Sequence, residues 1–414
     1  MKSTAPLLSP GYTWLYVFLP SFVYFIITRI SFGRDVGVSI AVSSQVECQE
    51  SPVLSCATSQ WFRVAPHWGV ALSDSLWIHD DELGRGYLIA SDLQGAGRIW
   101  RWEVGGGPIA IGSTLHMEQA GCRSKDVCLD ATTTANNYGV TALAMEPSAG
   151  ETSLLVVAEQ GEQRIVRVEA TTGARTPLLL LEDDVSIISS MAYTATGDLL
   201  YILSSVETEQ QEQLMRLPQA VHTQALPSLA KSRVAHGWTT LPPGHSVSLP
   251  HTIHSSSTPS LSWMGSLVAN ATMLFYAGVL EESGEAVLMR VQLEQDDLDD
   301  DDDTEFELRP IIHARFPTVG ASKPGPIALS NEGTIFAAIG DTLWILPNGK
   351  LSKDSTGRFP LPTATITSLT VGGDGYLYAT SATDLYRIRT TSSCSPVHLP
   401  ANKIPKRKKP AAPE

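Results

Sequence analysis

The side chains able to do chemistry are thinly spread along this chain. His67, His79, Asp80, Asp81 and Glu82 gather ahead of an apolar strand, and His251 and His254 form an isolated His-x-x-His. A pair of that kind on a loop is ordinarily solvated, because a metal centre needs further donors at ligand spacing. Asp74 and Glu159 are the candidate catalytic carboxylates; Asp74 stands between Ser73 and Ser75, and Glu159 can pair with Arg164 across a turn. Asp92, just past a strand, suits an internal hydrogen bond. The run Asp299 to Asp303 reads as a solvated loop, since nothing folds its carboxylates into a calcium cage. No Gly-x-Ser-x-Gly elbow, phosphate loop or His-Glu-x-x-His occurs.

Cys48 with Cys56 and Cys122 with Cys128 are two close pairs, and Cys394 is left over. In an oxidising compartment the pairs would be local disulfides, and in a reducing one ordinary thiols. Asn270-Ala271-Thr272 is a glycosylation sequon. From Tyr12 to Ile27 the chain carries no charge, with Lys2 before it and Arg29 and Arg34 after. That stretch is expected to be a signal anchor or a cleaved signal peptide, which gives a secretory-pathway protein, anchored in the membrane or secreted. The net charge of −14 excludes nucleic acid as a natural partner, because a phosphate backbone rewards basic surfaces. A small-molecule or protein ligand at a channel mouth is expected instead.

The elements that must position these residues declare themselves by repetition. A short apolar strand recurs six times, centred on Leu88, Leu155, Leu200, Leu274, Ile335 and Leu377. Each is followed by a second strand: Ile99–Trp102, Ile165–Val168, Leu214–Leu217, Leu288–Val291, Leu343–Leu346 and Leu385–Ile388. Five of these six carry Arg in the third place, expected to lie between blades with its fork on carbonyls. Gly197, Gly333 and Gly375 stand where hairpin turns need them. The pattern predicts an all-β, six-bladed β-propeller behind an N-terminal hydrophobic segment, the ring closed by an N-terminal strand. The expected organisation is a signal segment over 1–35, a luminal linker with the closing strand over 36–60, the propeller over 61–395, and a basic disordered tail over 396–414.

The motifs within these blades resemble the senescence-marker protein, gluconolactonase and luciferin-regenerating-enzyme family. Ile366 to Thr390 is similar to that family's closing blade, and Gly325 to Lys350 to the blade before it. Leu155 to Glu169, and Trp77 with Tyr87 to Trp102, resemble the earlier blades; the likeness is faint in the third and fourth. The resemblance implies a lactone hydrolase with one divalent cation, calcium or zinc, held by a Glu on the first blade, Asn on the third and fourth, and Asp on the fifth. This chain departs at each place. The Glu becomes Ser73, the second blade's Asn-Gly becomes Thr141-Ala142, the third blade's Asn falls on Ser189, the fourth near Trp263, and the Asp on Gly325. Hydroxyls and a carbonyl do not offset the dehydration of a divalent ion, so no metal and no cofactor are expected. The expectation is a divergent member acting as a ligand- or partner-binding module. Two enzyme alternatives stand beside it: a calcium- or zinc-dependent lactone or ester hydrolase with a rearranged site, and a metal-free enzyme like the strictosidine-synthase relatives.

Overall fold

A computed structural model describes residues 38–39, 48–65, 72–80, 85–92, 99–102, 109–110, 140–147, 154–159, 164–169, 175–180, 186–205, 212–217, 220, 251–252, 259–293, 310–316, 324–347, 356–382, 384–390 and 394–397. The hydrophobic N-terminal stretch, Cys122, Cys128, His67, Asp81, Glu82, His254, the Asp299 to Asp303 run and the basic tail beyond Val397 lie outside the described residues. No helix among the described residues is long and apolar enough to cross a membrane. Two compact units divide the chain, Met1–Val38 and Ser39–Glu414.

Every regular element described is a strand. After β1 (Val38–Ser39) and β2 (Trp61–Ala65), the chain builds β3 (Leu72–Asp80), β4 (Arg85–Asp92), β5 (Ile99–Trp102) and β6 (Ile109–Ala110) as one antiparallel sheet. The next sheet holds β7 (Val140–Met145), β8 (Leu154–Glu159), β9 (Arg164–Glu169) and β10 (Arg175–Leu180). Then come β11 (Ser186–Tyr193), β12 (Leu199–Ser205), β13 (Gln213–Leu217) and β14 (His251–Thr252). The fourth sheet is β15 (Leu261–Ala269), β16 (Met273–Leu280), β17 (Ala286–Gln292) and β18 (Ile311–Phe316). The fifth is β19 (Pro324–Leu329), β20 (Ile335–Ile339), β21 (Thr342–Leu346) and β22 (Gly357–Pro360). The last, β23 (Ile366–Val371), β24 (Tyr376–Ser381) and β25 (Leu385–Arg389), takes β2 beside β25 and β1 on its edge. The described strands thus form five four-stranded sheets and one five-stranded sheet.

The first full strand of each sheet touches that of the next in cyclic order: β3, β7, β11, β15, β19, β23 and β3 again. That closed ring makes the molecule an all-β propeller. Closure comes from β2, whose Trp61, Phe62 and Arg63 pair with Ile388, Arg387 and Tyr386 of the last sheet. Trp61–Ala65 begins just after the interval expected to hold the closing strand. At the other end, the described residues reach two places into the expected tail; Pro396 bridges to Ser330, and just before it Asn331 N–H donates to Ser395 O at 2.8 Å.

The six recurrent apolar strands are the second strands of the sheets, and the Arg-bearing segments are the third. A second strand lies at the middle of its sheet with neighbours on both faces, so it reads as a continuous apolar run. Leu155 to Ala158 and Ile335 to Ile339 are buried at every residue. Gly197, Gly333 and Gly375 have φ of 86°, 84° and 80°, the left-handed conformation their hairpins require. Gly86 serves close approach instead: an added Cβ would come within 2.4 Å of the Trp77 ring, which covers the β3–β4 hairpin.

The third-strand arginines pair with carboxylates as well as carbonyls. Arg167 Nε meets Glu146 Oε2 at 2.6 Å, and its NH2 donates to the carbonyl of Ala220, three residues past the end of β13. Arg216 reaches Asp198 Oδ2 at 2.7 Å. Both acids lie in the hairpins between first and second strands, so one Arg ties three strands together.

Candidate inner-ring site

All six inner strands break register near the same level of the ring. Pairing is interrupted between Leu72 and Ser75 on β3, Val140 and Ala142 on β7, and Ile188 and Ser190 on β11. It is interrupted again between Gly265 and Leu267 on β15, Pro324 and Ile327 on β19, and Ile366 and Ser368 on β23. A bulge leaves its extra residue unpaired and re-aims the side chain. The residues passed over include Ser73, Asp74, Thr141, Ser189, Ser266, Gly325 and Thr367. Four of the positions singled out by the resemblance, Ser73, Thr141, Ser189 and Gly325, therefore sit at bulges.

On the fourth sheet the bulge residue is Ser266, three places beyond Trp263. Trp263 packs against the core shared with the next sheet, its ring over Gly265. Ser266 has φ of 35°, the one positive-φ non-glycine residue among those described. That strained backbone is held by the bond its side chain makes. β15 has a second irregularity between Leu261 and Trp263, so counting by spacing reaches Trp263 and not the inner bulge.

The polar groups of this ring hold the sheets to one another. Asp74 Oδ2 accepts Leu143 N–H of β7 at 2.8 Å. Ser190 Oγ accepts Leu267 N–H of β15 at 2.8 Å, and Ser266 Oγ accepts Ile327 N–H of β19 at 2.8 Å. Ser368 Oγ accepts Ser75 N–H at 3.1 Å, closing the circle from β23 to β3. In each case a side-chain oxygen of one inner strand satisfies a backbone donor of the next. Such a donor would otherwise be buried without a partner. At the other two junctions no such bond forms: the β7 bulge holds Thr141, whose Oγ1 makes no hydrogen bond, and β19 holds Gly325-Pro326, which have no side-chain oxygen.

Asp74 is the charged member of this belt. Besides Leu143 N–H, its Oδ1 accepts Ser75 N–H at 2.8 Å and Ser368 Oγ–H at 2.8 Å, so one carboxylate ties β23, β3 and β7. Burial raises its pKa to about 6, against the lowering effect of those three bonds. Nearby, Ser73 Oγ donates to Val140 O at 2.5 Å, and Ser75 Oγ shares a hydrogen bond with Thr370 Oγ1 at 2.8 Å. Thr141 Oγ1 is buried with no hydrogen-bond partner. Ser189 and Thr367 are exposed.

The remaining candidates lie elsewhere. Glu159, at the end of β8, is buried and paired with Arg164 Nε at 2.5 Å, across the turn to β9. His79 is exposed near the end of β3. Cys48 and Cys56 form a disulfide, and Cys394 is buried. Among the described residues no three His, Cys, Asp or Glu side chains are grouped so as to hold a metal ion.

No family model matches the sequence, and no curated protein matches it. Solved structures do. A structure carrying a gluconolactonase assignment superposes with a TM-score of 0.51 at 14% identity, over 83% of this chain and 96% of that one. Regucalcin from Agrobacterium tumefaciens, a calcium-binding protein, gives 0.48 at 10% identity, over 81% and 95%. The PQQ-bound aldose sugar dehydrogenase of Streptomyces coelicolor gives 0.49 at 11%, over 81% and 100%. At such identities the shared property is the architecture. The chain is an all-β propeller of gluconolactonase-like fold, far diverged in sequence.

Proposed function

We propose that this chain is a six-bladed, gluconolactonase-like propeller that has lost the family's cation ligands and works as a ligand- or partner-binding module. The observation that carries the reading is the chemistry at the bulges. Where the resemblance places carboxylate and amide ligands stand Ser73, Thr141, Ser189 and Gly325, with Ser266 completing the fourth sheet. Calcium takes six to eight oxygens, several of them anionic, at about 2.3–2.6 Å. The belt offers one carboxylate, and both oxygens of Asp74 already serve the protein. The ligand would meet the exposed side chains of Ser189 and Thr367, the latter with its Oγ1 bonded to Thr380 O at 3.2 Å.

The test is thermal stability in calcium, in zinc and in chelator, with hydrolysis of a panel of sugar lactones. The expected shift is under about 1 °C in every arm, because a site-bound ion would stabilise the fold by mass action. A saturable rise with either ion, together with lactone hydrolysis, would favour the metal-dependent hydrolase. One observation favours the metal-free enzyme: a buried acid with a pKa of about 6 suits proton transfer near neutrality. That reading requires turnover that Asp74→Asn abolishes.

In this reading the module is a secretory-pathway protein, anchored or secreted through its N-terminal segment, and Asn270 is its glycosylation site. Asn270 stands at the β15–β16 hairpin, where its Oδ1 accepts the Thr272 and Met273 amides at 3.0 and 2.9 Å. Nδ2, the atom that carries a glycan, lies outside those bonds. Expressed through a secretory pathway, the protein should show a glycosidase-sensitive mobility shift that Asn270→Gln removes. An unshifted wild-type band would contradict the assignment.

A further inference from the structure

The segment from Cys48 to Trp61 lies across the seam between the sheet β19–β22 and the last sheet. Its disulfide closes a loop from Cys48 to Cys56. Gln49 adds to the free edge of β22 by two backbone bonds, N–H to Arg358 O at 2.9 Å and O from Arg358 N–H at 3.0 Å. Ser51 comes so close to Gly357 that a Cβ there would lie 2.6 Å from its own Cβ. Within the loop, Ser51 Oγ accepts the Val53 and Leu54 amides at 3.2 and 3.0 Å, turning both side chains inward. Val53 and Leu54 are 4% and 1% exposed, packed in the cluster that unites Phe336, Leu343 and Phe359 of one sheet with Leu369, Leu377 and Ile388 of the other. Cys394 is buried in the same cluster, at 5% exposure. Beyond the loop, Trp61 Nε1 donates to Pro360 O at 2.8 Å and Ser59 Oγ to Arg389 O at 3.3 Å, one contact to each sheet.

We infer that residues 48–60 form a redox-releasable strap, whose Cys48–Cys56 bond holds two apolar side chains in the outer seam of the ring. Both cysteines are half-buried, Cys48 against the edge of the apolar cluster, and Pro52, Ala57 and Thr58 of the same segment are exposed. A dithiol reductant attacks one sulfur as thiolate and forms a mixed disulfide, and its second thiolate then releases the protein. The Cys48–Cys56 bond becomes two thiols, and the reductant's two thiols become its own disulfide, their protons passing to the cysteines. Opening the loop restores conformational freedom to residues then held by the Gln49–Arg358 backbone bonds, the Ser59 bond to Arg389 O and the packing of Val53 and Leu54. The strap should detach, uncovering the β22 edge and the groove beneath Val53 and Leu54. The β7–β10 sheet packs into two other apolar clusters and should not respond.

Cys394 is a built-in reporter. The full chain is treated with a dithiol reductant at neutral pH and alkylated under native conditions, with peptides mapped by mass spectrometry and amide exchange followed in parallel. Cys394 should be protected before reduction and labelled after it, with faster exchange at 49–55 and 357–359 and unchanged exchange at 154–168. The Cys48→Ser, Cys56→Ser double variant should show the opened pattern without reductant. Two results would overturn the inference: Cys394 still protected with exchange unaltered after reduction, or protection lost in all sheets together.

Discussion

Replacing Asp74 with Asn should remove a pH dependence of stability that the wild-type chain shows between about pH 4 and pH 7. The folded pKa of about 6 lies above the ordinary value of 3.8, so the folded state favours the protonated acid. An acid raised in this way contributes stability that is full below about 3.8 and is lost as the pH rises through about 6. A rise of that size corresponds to about 3 kcal/mol across the window. The substituted amide cannot titrate, and its single carbonyl oxygen can keep the Ser75 and Ser368 bonds while losing Leu143 N–H. The variant should therefore carry a constant cost of about 1 kcal/mol for that lost bond. Relative to wild type it should gain steadily from pH 4 to pH 7. Chemical denaturation of both proteins across this range measures the difference directly, since titrations shared by the two chains cancel. Parallel curves would show that Asp74 does not change its proton on folding.

The second large effect is expected at Glu146. Its carboxylate is 6% exposed, bonds Arg167 Nε at 2.6 Å and accepts the Tyr193 hydroxyl at 3.3 Å. Burial, with Glu146 as the next contributor, pushes the Tyr193 phenol well up, so it remains a donor. Glu146→Gln takes from the Arg167 guanidinium, 12% exposed, the carboxylate that meets it at 2.6 Å, and removing one partner of a buried pair costs about 3–5 kcal/mol. Adding Arg167→Met removes the other member of the pair and should recover more than half of that loss. Denaturation midpoints of the two single variants and the double complete the cycle. Additive losses would mean that the pair is not coupled.

The architecture was legible because the sheets repeat two features. The second strand, at the middle of its sheet, is an apolar run, as Leu154 to Ala158 is. The third carries an Arg in five of the six sheets, with Ile345 in that place on β21. The hairpin glycines followed from backbone geometry alone. The inner ring was only partly legible. Ser73, Thr141, Ser189 and Gly325, reached through flanking motifs, fall at bulges. On β15, which carries two irregularities and weak flanking motifs, counting residues reaches Trp263, three places short of the inner bulge at Ser266. A serine in a strand does not reveal which amide it will satisfy, and the belt joining Asp74, Ser190, Ser266 and Ser368 to their neighbours emerged only from the fold. Asp74 stands between Ser73 and Ser75 in the sequence, which does not show the interruption between Leu72 and Ser75 that sets it at a bulge. The Cys48–Cys56 loop read as a linker, because Val53 and Leu54 are too few to make a strand pattern. Their burial depends on a groove built some three hundred residues later.

The most direct test is the metal content of the chain, purified without chelator and analysed by elemental mass spectrometry. Hydroxyls and one engaged carboxylate at the inner bulges predict far less than one calcium or zinc per chain. One tightly held ion per molecule, lost on Asp74→Ala, would contradict the account.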